Sequence, residues 1–178
     1  MTTLLSQNEF PALASDSPLL HTWVIPAKNG TIRIRLRNGS AGFLLAHFIM
    51  WFAETIQPVI GGTLDDWGWS AMRAIRGTIG TVSNHCSGTA VDLNAQQHPL
   101  GKRGTFRAWQ YAKIRARLLL YAGCIRSGID YQNRADEMHH EINRPLDACE
   151  RRARRLAGSP RGKRILHANP GQRAVIFS

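Results

Sequence analysis

The 178-residue chain is poor in cysteine and in acidic residues, and it has no long apolar run. Its three cysteines, Cys86, Cys124 and Cys149, lack the number and spacing of a disulfide framework, which favours a reducing compartment. The most apolar run, residues 41–53, is too short to span a bilayer, so no membrane span is expected. The first residues lack the basic and apolar regions of a secretory signal peptide. There is neither a P-loop nor a GxGxxG motif, so the common phosphate-binding signatures are missing.

Basic residues outnumber acidic ones by 23 to 12, which gives a formal net charge of +11. The segment 151–178 holds a large share of this excess, because it contains several lysines and arginines and no acidic residue. Such a charge balance predicts an anionic partner: a nucleic acid, an anionic membrane surface or a charged wall polymer. Charge alone does not choose among these three.

Hydrophobic patterning and turn residues divide the chain into three parts. Residues 1–22 are polar and contain prolines, and we interpret them as an N-terminal arm. Residues 23–157 have the length of one domain, and residues 158–178 form a basic C-terminal tail. The periodicity predicts strands at 31–37, 79–82, 89–93, near Cys124 and at 138–142, and helices at 41–56, 105–121 and 146–156.

The same patterns predict which faces are buried. In the strand at 31–37, Ile32, Ile34 and Leu36 share one face, and the three arginines take the outer face. The helix at 41–56 is apolar nearly all the way round, so it is expected to pack on most of its sides, and Ser40 can cap it. In the helix at 105–121 the predicted apolar stripe consists of Phe106, Trp109, Ala112, Ala116 and Leu119.

Residues that bind metals are concentrated in two short segments, 83–94 and 136–141. In the first, His85 is followed by Gly88, which permits a sharp turn, so that Asp92 returns on the next strand and can face His85. Two imidazoles and one carboxylate leave a fourth zinc position open for water, which is the pattern of a catalytic site.

Strand alternation decides how the second segment can contribute to such a site. It places His139 and Glu141 on one face and His140 on the other, so only one of the paired histidines can point into a shared site. A further carboxylate nearby, such as Asp136, could act as general base. Each of these residues also has a purely structural interpretation, as a hydrogen-bonded strand or turn residue.

Three separated motifs resemble those of the M15 zinc peptidases, which include D-alanyl-D-alanine carboxypeptidases and dipeptidases and phage L-alanyl-D-glutamate endolysins. Residues 83–92, SNHCSGTAVD, resemble their SxHxxGxAxD signature. Residues 136–139, DEMH, resemble their closing motif of an acidic residue, two spacers and a histidine. Residues 73–77, RAIRG, resemble a motif that precedes the signature in the endolysin-like branch.

The resemblance implies a role for five residues. His85, Asp92 and His139 would bind Zn²⁺. Asp136 would deprotonate the metal-bound water and later protonate the leaving amine, although many relatives have glutamate at this position. Arg76 would hold or polarise the substrate. The resemblance also implies a single α+β domain, with a small central antiparallel sheet flanked by helices.

The favoured function is therefore a zinc peptidase that hydrolyses stem peptides of bacterial peptidoglycan. Whether it acts as an L,D-endopeptidase or as a D,D-carboxypeptidase stays open, as does the exact bond that is cut. The basic tail is expected to guide the enzyme to anionic cell-wall polymers. A phage protein is expected, present in the host cytoplasm until its release to the wall or carried on a virion.

Two alternatives belong to other functional classes. A metal-dependent nuclease of the His-Asn-His type could use the paired histidines with Glu141, Asn143 and the arginine-rich end. The ββα spacing and the paired CxxC often seen in such nucleases are missing, so nucleic acid is disfavoured as a partner. The other alternative is a non-catalytic relative that keeps the metal and only binds the wall.

Overall fold

The computed structural model describes residues 4–59, 65–71 and 81–178. The described chain is an α+β fold with small sheets, as the sequence predicts. Its strands are β1 (Leu5–Ser6), β2 (Leu20–Ala27), β3 (Gly30–Arg37), β4 (Thr81–Val82), β5 (Ala90–Asp92), β6 (Ile125–Ser127) and β7 (His139–Ile142). Its α-helices are α1 (Gly39–Thr55), α2 (Ala108–Leu119), α3 (Leu146–Ala157), α4 (Pro160–Ala168) and α5 (Pro170–Phe177).

Three separate sheets organise these strands. One sheet has three antiparallel strands in the order β5-β7-β6, which confirms the predicted small antiparallel sheet. A β2–β3 hairpin packs against α1, and β1 forms a short parallel pair with β4. The strand β2 was not predicted, because its polar start falls in the segment interpreted as an arm.

Helix α1 lies within the hydrophobic core. Every residue from Gly39 to Ala53 is buried, which confirms the prediction of a helix packed on most of its sides. The predicted cap Ser40 is wrong, because the helix begins at Gly39 after Asn38, and Ser40 Oγ has no hydrogen-bond partner among the described residues. The backbone N–H of Gly39 instead donates to Oε1 of Gln172 on α5, at 2.7 Å.

The segment 158–178 folds into α4 and α5, which pack on the rest of the chain. Ile165 and Ile176 are buried in the core, and the Asn169 side chain exchanges two hydrogen bonds with the backbone of Val24 at 2.9 and 2.7 Å. The functional division into arm, domain and basic tail stays a prediction, but removal of these residues would also remove core contacts.

Two details of the sequence-based prediction need correction. Helix α2 buries Gln110 and Ile114, and the predicted apolar stripe is wrong, because Trp109 is 45% exposed and Leu119 is 79% exposed. The basic residues of β3 do not all face solvent, since Arg37 is buried at 9% exposure. Among the described residues, no helix combines the length and the apolar character that a membrane crossing requires.

Candidate metal centre

The antiparallel pairing of β5 with β7 places two of the predicted ligands directly opposite each other. In this register Asp92, the last residue of β5, faces His139, the first residue of β7. The third ligand, His85, lies in a 3₁₀ turn, Asn84–Ser87, just before β5. Gly88 reverses the chain after this turn with φ 68°, and a Cβ atom there would lie 2.6 Å from the backbone nitrogen of Arg37. A glycine is therefore required at the predicted sharp turn.

The three side chains converge on one point. The distance from His85 Nε2 to His139 Nδ1 is 3.1 Å, and Asp92 Oδ1 lies 2.9 Å from His139 Nδ1 and 3.3 Å from His85 Nε2. All three ligand atoms lie within 4.8 Å of one another, and all three residues are buried. Two imidazole nitrogens and one carboxylate oxygen are a donor set that suits a divalent transition metal. The structure thus brings together the three ligands that the sequence predicts.

The outer nitrogen of each imidazole has its own hydrogen-bond partner. His85 Nδ1 lies 2.7 Å from the carbonyl oxygen of Gly68, and His139 Nε2 lies 2.9 Å from Oε2 of Glu141. When each outer nitrogen donates to its oxygen, the inner nitrogen is left with a lone pair for a metal. The site residue Gly68 was missed, because a backbone carbonyl carries no sequence signal.

Glu141 is itself held by three further side chains. Its carboxylate accepts hydrogen bonds from Asn84 Nδ2, Arg126 Nε and the Tyr131 hydroxyl. Burial alone would raise the pKa of Glu141, but His139, Tyr131 and Asn84 outweigh burial and lower this pKa to about 2. Glu141 is therefore a fixed negative charge next to Nε2 of His139, the ring nitrogen that points away from the convergence point.

The surrounding charges favour a cation at the convergence point. Burial alone would lower the pKa of His139, but the carboxylates of Asp92 and Glu141 together outweigh burial and raise this pKa to about 10. Burial alone would raise the pKa of Asp92, whereas hydrogen bonds with His139 and His85 hold it well below its usual value. A metal ion at His139 Nδ1 would take the place of the proton that these carboxylates attract.

The predicted base Asp136 lines the same cavity as the three ligands, which has a volume of about 850 Å³. A turn closed by the His139 N–H and the Asp136 carbonyl oxygen, at 3.1 Å, sets its position. Asp136 is not part of the convergent ligand set. Among the described residues, no donor reaches its buried Oδ1, and burial raises its pKa to about 6. An acceptor with these properties suits proton transfer better than metal binding.

The close approach of this turn depends on Gly128, which follows β6. A Cβ atom at Gly128 would lie 1.8 Å from the carbonyl oxygen of Asp136, so any other residue would push the turn away. The wall of the cavity also contains Trp67, Tyr131 and Arg134, which the sequence analysis did not single out. Backbone hydrogen bonds of 3.1 and 2.9 Å between Trp67 and Asp92 hold the tryptophan beside β5.

Two residues named in the sequence analysis remain, Arg76 and His140. Arg76 falls outside the residues that the structure describes. His140 points to the opposite face of β7, as strand alternation predicts, and its ring lies 4.6 Å from that of Phe48 and 5.7 Å from that of Phe52. Neither ring nitrogen of His140 has a hydrogen-bond partner among the described residues. His140 is therefore a core residue and is remote from the convergent ligands.

A buried two-histidine, one-carboxylate centre beside Asp136, whose Oδ1 has no donor among the described residues, defines a candidate metal-dependent hydrolytic site. A comparison with known protein families agrees with a hydrolytic site. A model of the M15 peptidases, described as D-alanyl-D-alanine carboxypeptidase, matches residues 76–142. The match contains all five predicted site residues and confirms the resemblance to the M15 peptidases over this segment, which is less than half of the chain. No significant match to the chain was found among the curated proteins or among the solved structures.

Proposed function

We propose that this protein is a zinc-dependent peptidase that hydrolyses peptide bonds in the stem peptides of bacterial peptidoglycan. The convergence of His85, Asp92 and His139 beside Asp136 carries this proposal, because it joins a ligand set to a base in one cavity. The M15 peptidases, whose family model matches this segment, are zinc-dependent.

The donor set fits zinc, since each histidine presents one nitrogen and Asp92 presents one oxygen. When bound, zinc supplies a Lewis acid that polarises the scissile carbonyl and acidifies a water molecule. Asp136 takes a proton from the attacking water and returns it to the leaving amine. Gly68 and Glu141 hold the two imidazoles in the tautomer that binds the metal. Arg76 is proposed to bind the substrate, on the basis of the motif at residues 73–77.

The structure does not favour the alternative of a His-Asn-His nuclease. That alternative used both paired histidines, but His140 is completely buried against aromatic rings on the far side of β7. Because it is completely buried, His140 cannot contact a substrate. Burial also lowers the pKa of His140 to about 3, so this residue is neutral. The non-catalytic alternative differs from our proposal only in turnover, which an assay decides.

The test combines zinc analysis with digestion of a purified muropeptide. We expect about one zinc ion per chain, the occupancy of a single catalytic site, and a cleaved product whose mass identifies the bond. A product lacking D-alanine would indicate a D,D-carboxypeptidase, and cleavage after L-alanine an L,D-endopeptidase. Zinc without cleavage would support the non-catalytic relative, and absence of zinc would refute the proposal.

We propose a bacteriophage origin, with the protein released from the host cytoplasm to the wall or carried on a virion. The motif RAIRG at residues 73–77 supports this origin, because it resembles the endolysin-like branch. Detection of the protein in purified virions, as opposed to the lysate alone, would distinguish the two locations.

Replacing Glu141 with glutamine should weaken zinc binding about 10- to 100-fold, the range typical of residues that orient a metal ligand. Glutamine preserves the shape but removes the charge that fixes Nε2 of His139. Competition with a chromophoric chelator measures the affinity, and thermal melting checks the fold. Glu150→Gln, on α3 and outside the metal cavity, is the control with the same charge change. Equal zinc affinity in the two variants would exclude the positioning role.

We also propose that the basic C-terminal helices help attach the enzyme to anionic wall polymers. Arg161 and Arg164 are paired with Glu54 at 2.7 and 3.1 Å, so they contribute less to such binding. Arg155 and Lys163 are exposed, and neither forms an ion pair with a described carboxylate. These two residues are therefore the ones to test.

The double variant Arg155→Gln/Lys163→Gln should bind purified cell walls about fivefold more weakly at low salt, because two exposed charge contacts contribute about 1 kcal/mol. The difference should vanish at high salt, where exposed charges are screened. Sedimentation with walls measures the binding. Lys28→Gln/Arg33→Gln, on the β2–β3 hairpin, removes the same charge elsewhere. Equal loss in both double variants would mean that only net charge matters.

A further inference from the structure

A second cavity, of about 470 Å³, adjoins the metal cavity. It lies between the N-terminal segment 7–11, the end of β3 and the segment 143–146 that follows β7. The two cavities share two lining residues, Gln7 and Arg126. A ligand that extends from the metal centre past Arg126 would therefore enter the second cavity.

Three arginine residues line this second cavity, which we call the arginine pocket: Arg37, Arg126 and Arg144. Among the described lining residues, Glu9 is the single one with a carboxylate, and it is exposed. In the described part of the chain, neither Arg37 nor Arg144 forms an ion pair. Arg126 is paired with Glu141, so Arg37 and Arg144 are the two arginines of the pocket that have no counter-ion among the described residues.

Arg37 is the most unusual of the three, because it is buried and has no carboxylate partner among the described residues. Within the described ranges its side chain makes two long hydrogen bonds, 3.5 Å to the carbonyl oxygen of Pro11 and 3.4 Å to that of Ser87, and it lies over the ring of Phe10 at 5.3 Å. A buried guanidinium with such weak partners carries a desolvation cost that a bound anion would reduce. Burial lowers the pKa of Arg37, consistent with this environment.

Arg126 connects the pocket to the metal centre. Its Nε donates to Glu141, which in turn holds His139, while its side chain remains 47% exposed. The guanidinium is therefore fixed at one edge, and its remaining N–H groups are available at the boundary of the two cavities.

We propose that the arginine pocket binds a carboxylate of the peptide substrate at a position removed from the scissile bond. This inference rests on the proposed function, and it adds a specificity site to the metal centre. Planar, forked guanidinium donors match the two oxygens of a carboxylate, and stem peptides carry several free carboxylates. A phosphodiester of a wall polymer has related oxyanion chemistry, so the test includes it.

The test uses two synthetic stem pentapeptides, L-Ala-γ-D-Glu-L-Lys-D-Ala-D-Ala with free carboxyl groups and the same peptide with its carboxyl groups converted to carboxamides. Each carries a fluorescein label, and anisotropy is read within the first minute on the full-length protein. Mass spectrometry verifies that the peptide is intact. Arg144→Gln should weaken binding of the acid peptide about tenfold, the loss expected for a charged hydrogen bond, and leave the amide peptide unaffected.

Two further variants make the result specific. Arg33→Gln, exposed on β3 and outside the pocket, removes the same charge and should bind both peptides as the unmodified protein does. Arg37→Lys keeps the charge but removes the forked donors, so it should also lose preference for the acid peptide, with thermal melting as the check on folding.

Equal affinity for the acid and amide peptides, or equal losses in Arg144→Gln and Arg33→Gln, would overturn the inference. Poly(glycerol phosphate) that binds through Arg144, while the two peptides bind alike, would assign the pocket to a wall polymer and also overturn it. Normal cleavage without carboxylate preference refutes this inference alone. Carboxylate preference without cleavage of any muropeptide refutes the proposed function alone.

Discussion

Replacing His139 with alanine should reduce bound zinc from about one ion per chain to a trace and abolish peptide hydrolysis. The substitution removes one of three protein ligands and leaves Asp92 and Glu141 as buried carboxylates without their shared partner. Zinc analysis after dialysis against a weak chelator measures the loss. His85→Ala should behave in the same way, because its Nε2 is the second nitrogen at the convergence point.

The adjacent residue provides the control. His140→Phe should retain zinc and activity, because His140 faces Phe48 and Phe52 on the other side of β7. The variant should also be more stable, by about 1 kcal/mol, because it removes two buried ring nitrogens that have no partner in the described part of the chain. Chemical denaturation measures this change. Loss of zinc in the His140 variant with full zinc in His139→Ala would reverse our ligand assignment.

Replacing Asp136 with asparagine should lower the turnover rate about 100-fold or more while zinc stays bound, the loss expected when a positioned general base is removed. Asn preserves the shape of the side chain but cannot accept the proton. The raised pKa of Asp136, about 6, gives its carboxylate a proton affinity suited to a base near neutral pH. Since Asp136 is outside the convergent ligand set, zinc content should not change.

Muropeptide turnover and zinc stoichiometry are measured on the same samples, with Glu141→Gln as the comparison. A fully active Asp136→Asn variant would remove Asp136 from the mechanism. A Glu141→Gln variant that keeps all its zinc but is inactive would move the role of base to Glu141. The hydrogen bonds of Glu141 to His139, Arg126 and Tyr131 argue against that outcome, because a base needs access to water.

Much of the metal centre could be predicted because its signals are local. The turn at Gly88 and the alternation around His139 fix side-chain directions within a few residues, and the structure agrees with both. The groups that orient the ligands were harder to predict from the sequence. The Gly68 carbonyl has no sequence signature, and the bond from Arg126 to Glu141 joins neighbouring strands whose register is known only from the fold.

The errors in the predicted fold share one physical cause. Periodicity indicates an apolar face but not which face finds a partner. In α2 the buried positions are Ile114 and Gln110, and the Gln110 side chain donates to the Ile56 carbonyl oxygen. Arg37 continues the exposed series of β3 by spacing, yet residues 7–11 cover it. In both cases contacts between distant segments overrode the local pattern.

The hydrogen bonds of Asn8 have a consequence for the order in which contacts form while the chain is synthesised. Its backbone and side chain bond Asn84, Thr89 and the carbonyl oxygen of Ile142, across sequence separations of 76, 81 and 134 residues. Asn8 leaves the ribosome before all three of its partners, and Ile142 emerges only after the rest of the matched segment. During synthesis the bond to Ile142 must therefore wait until β7 emerges, later than the pairing of β1 with β4 becomes possible, so the wall around Asn8 closes only after β7 is made.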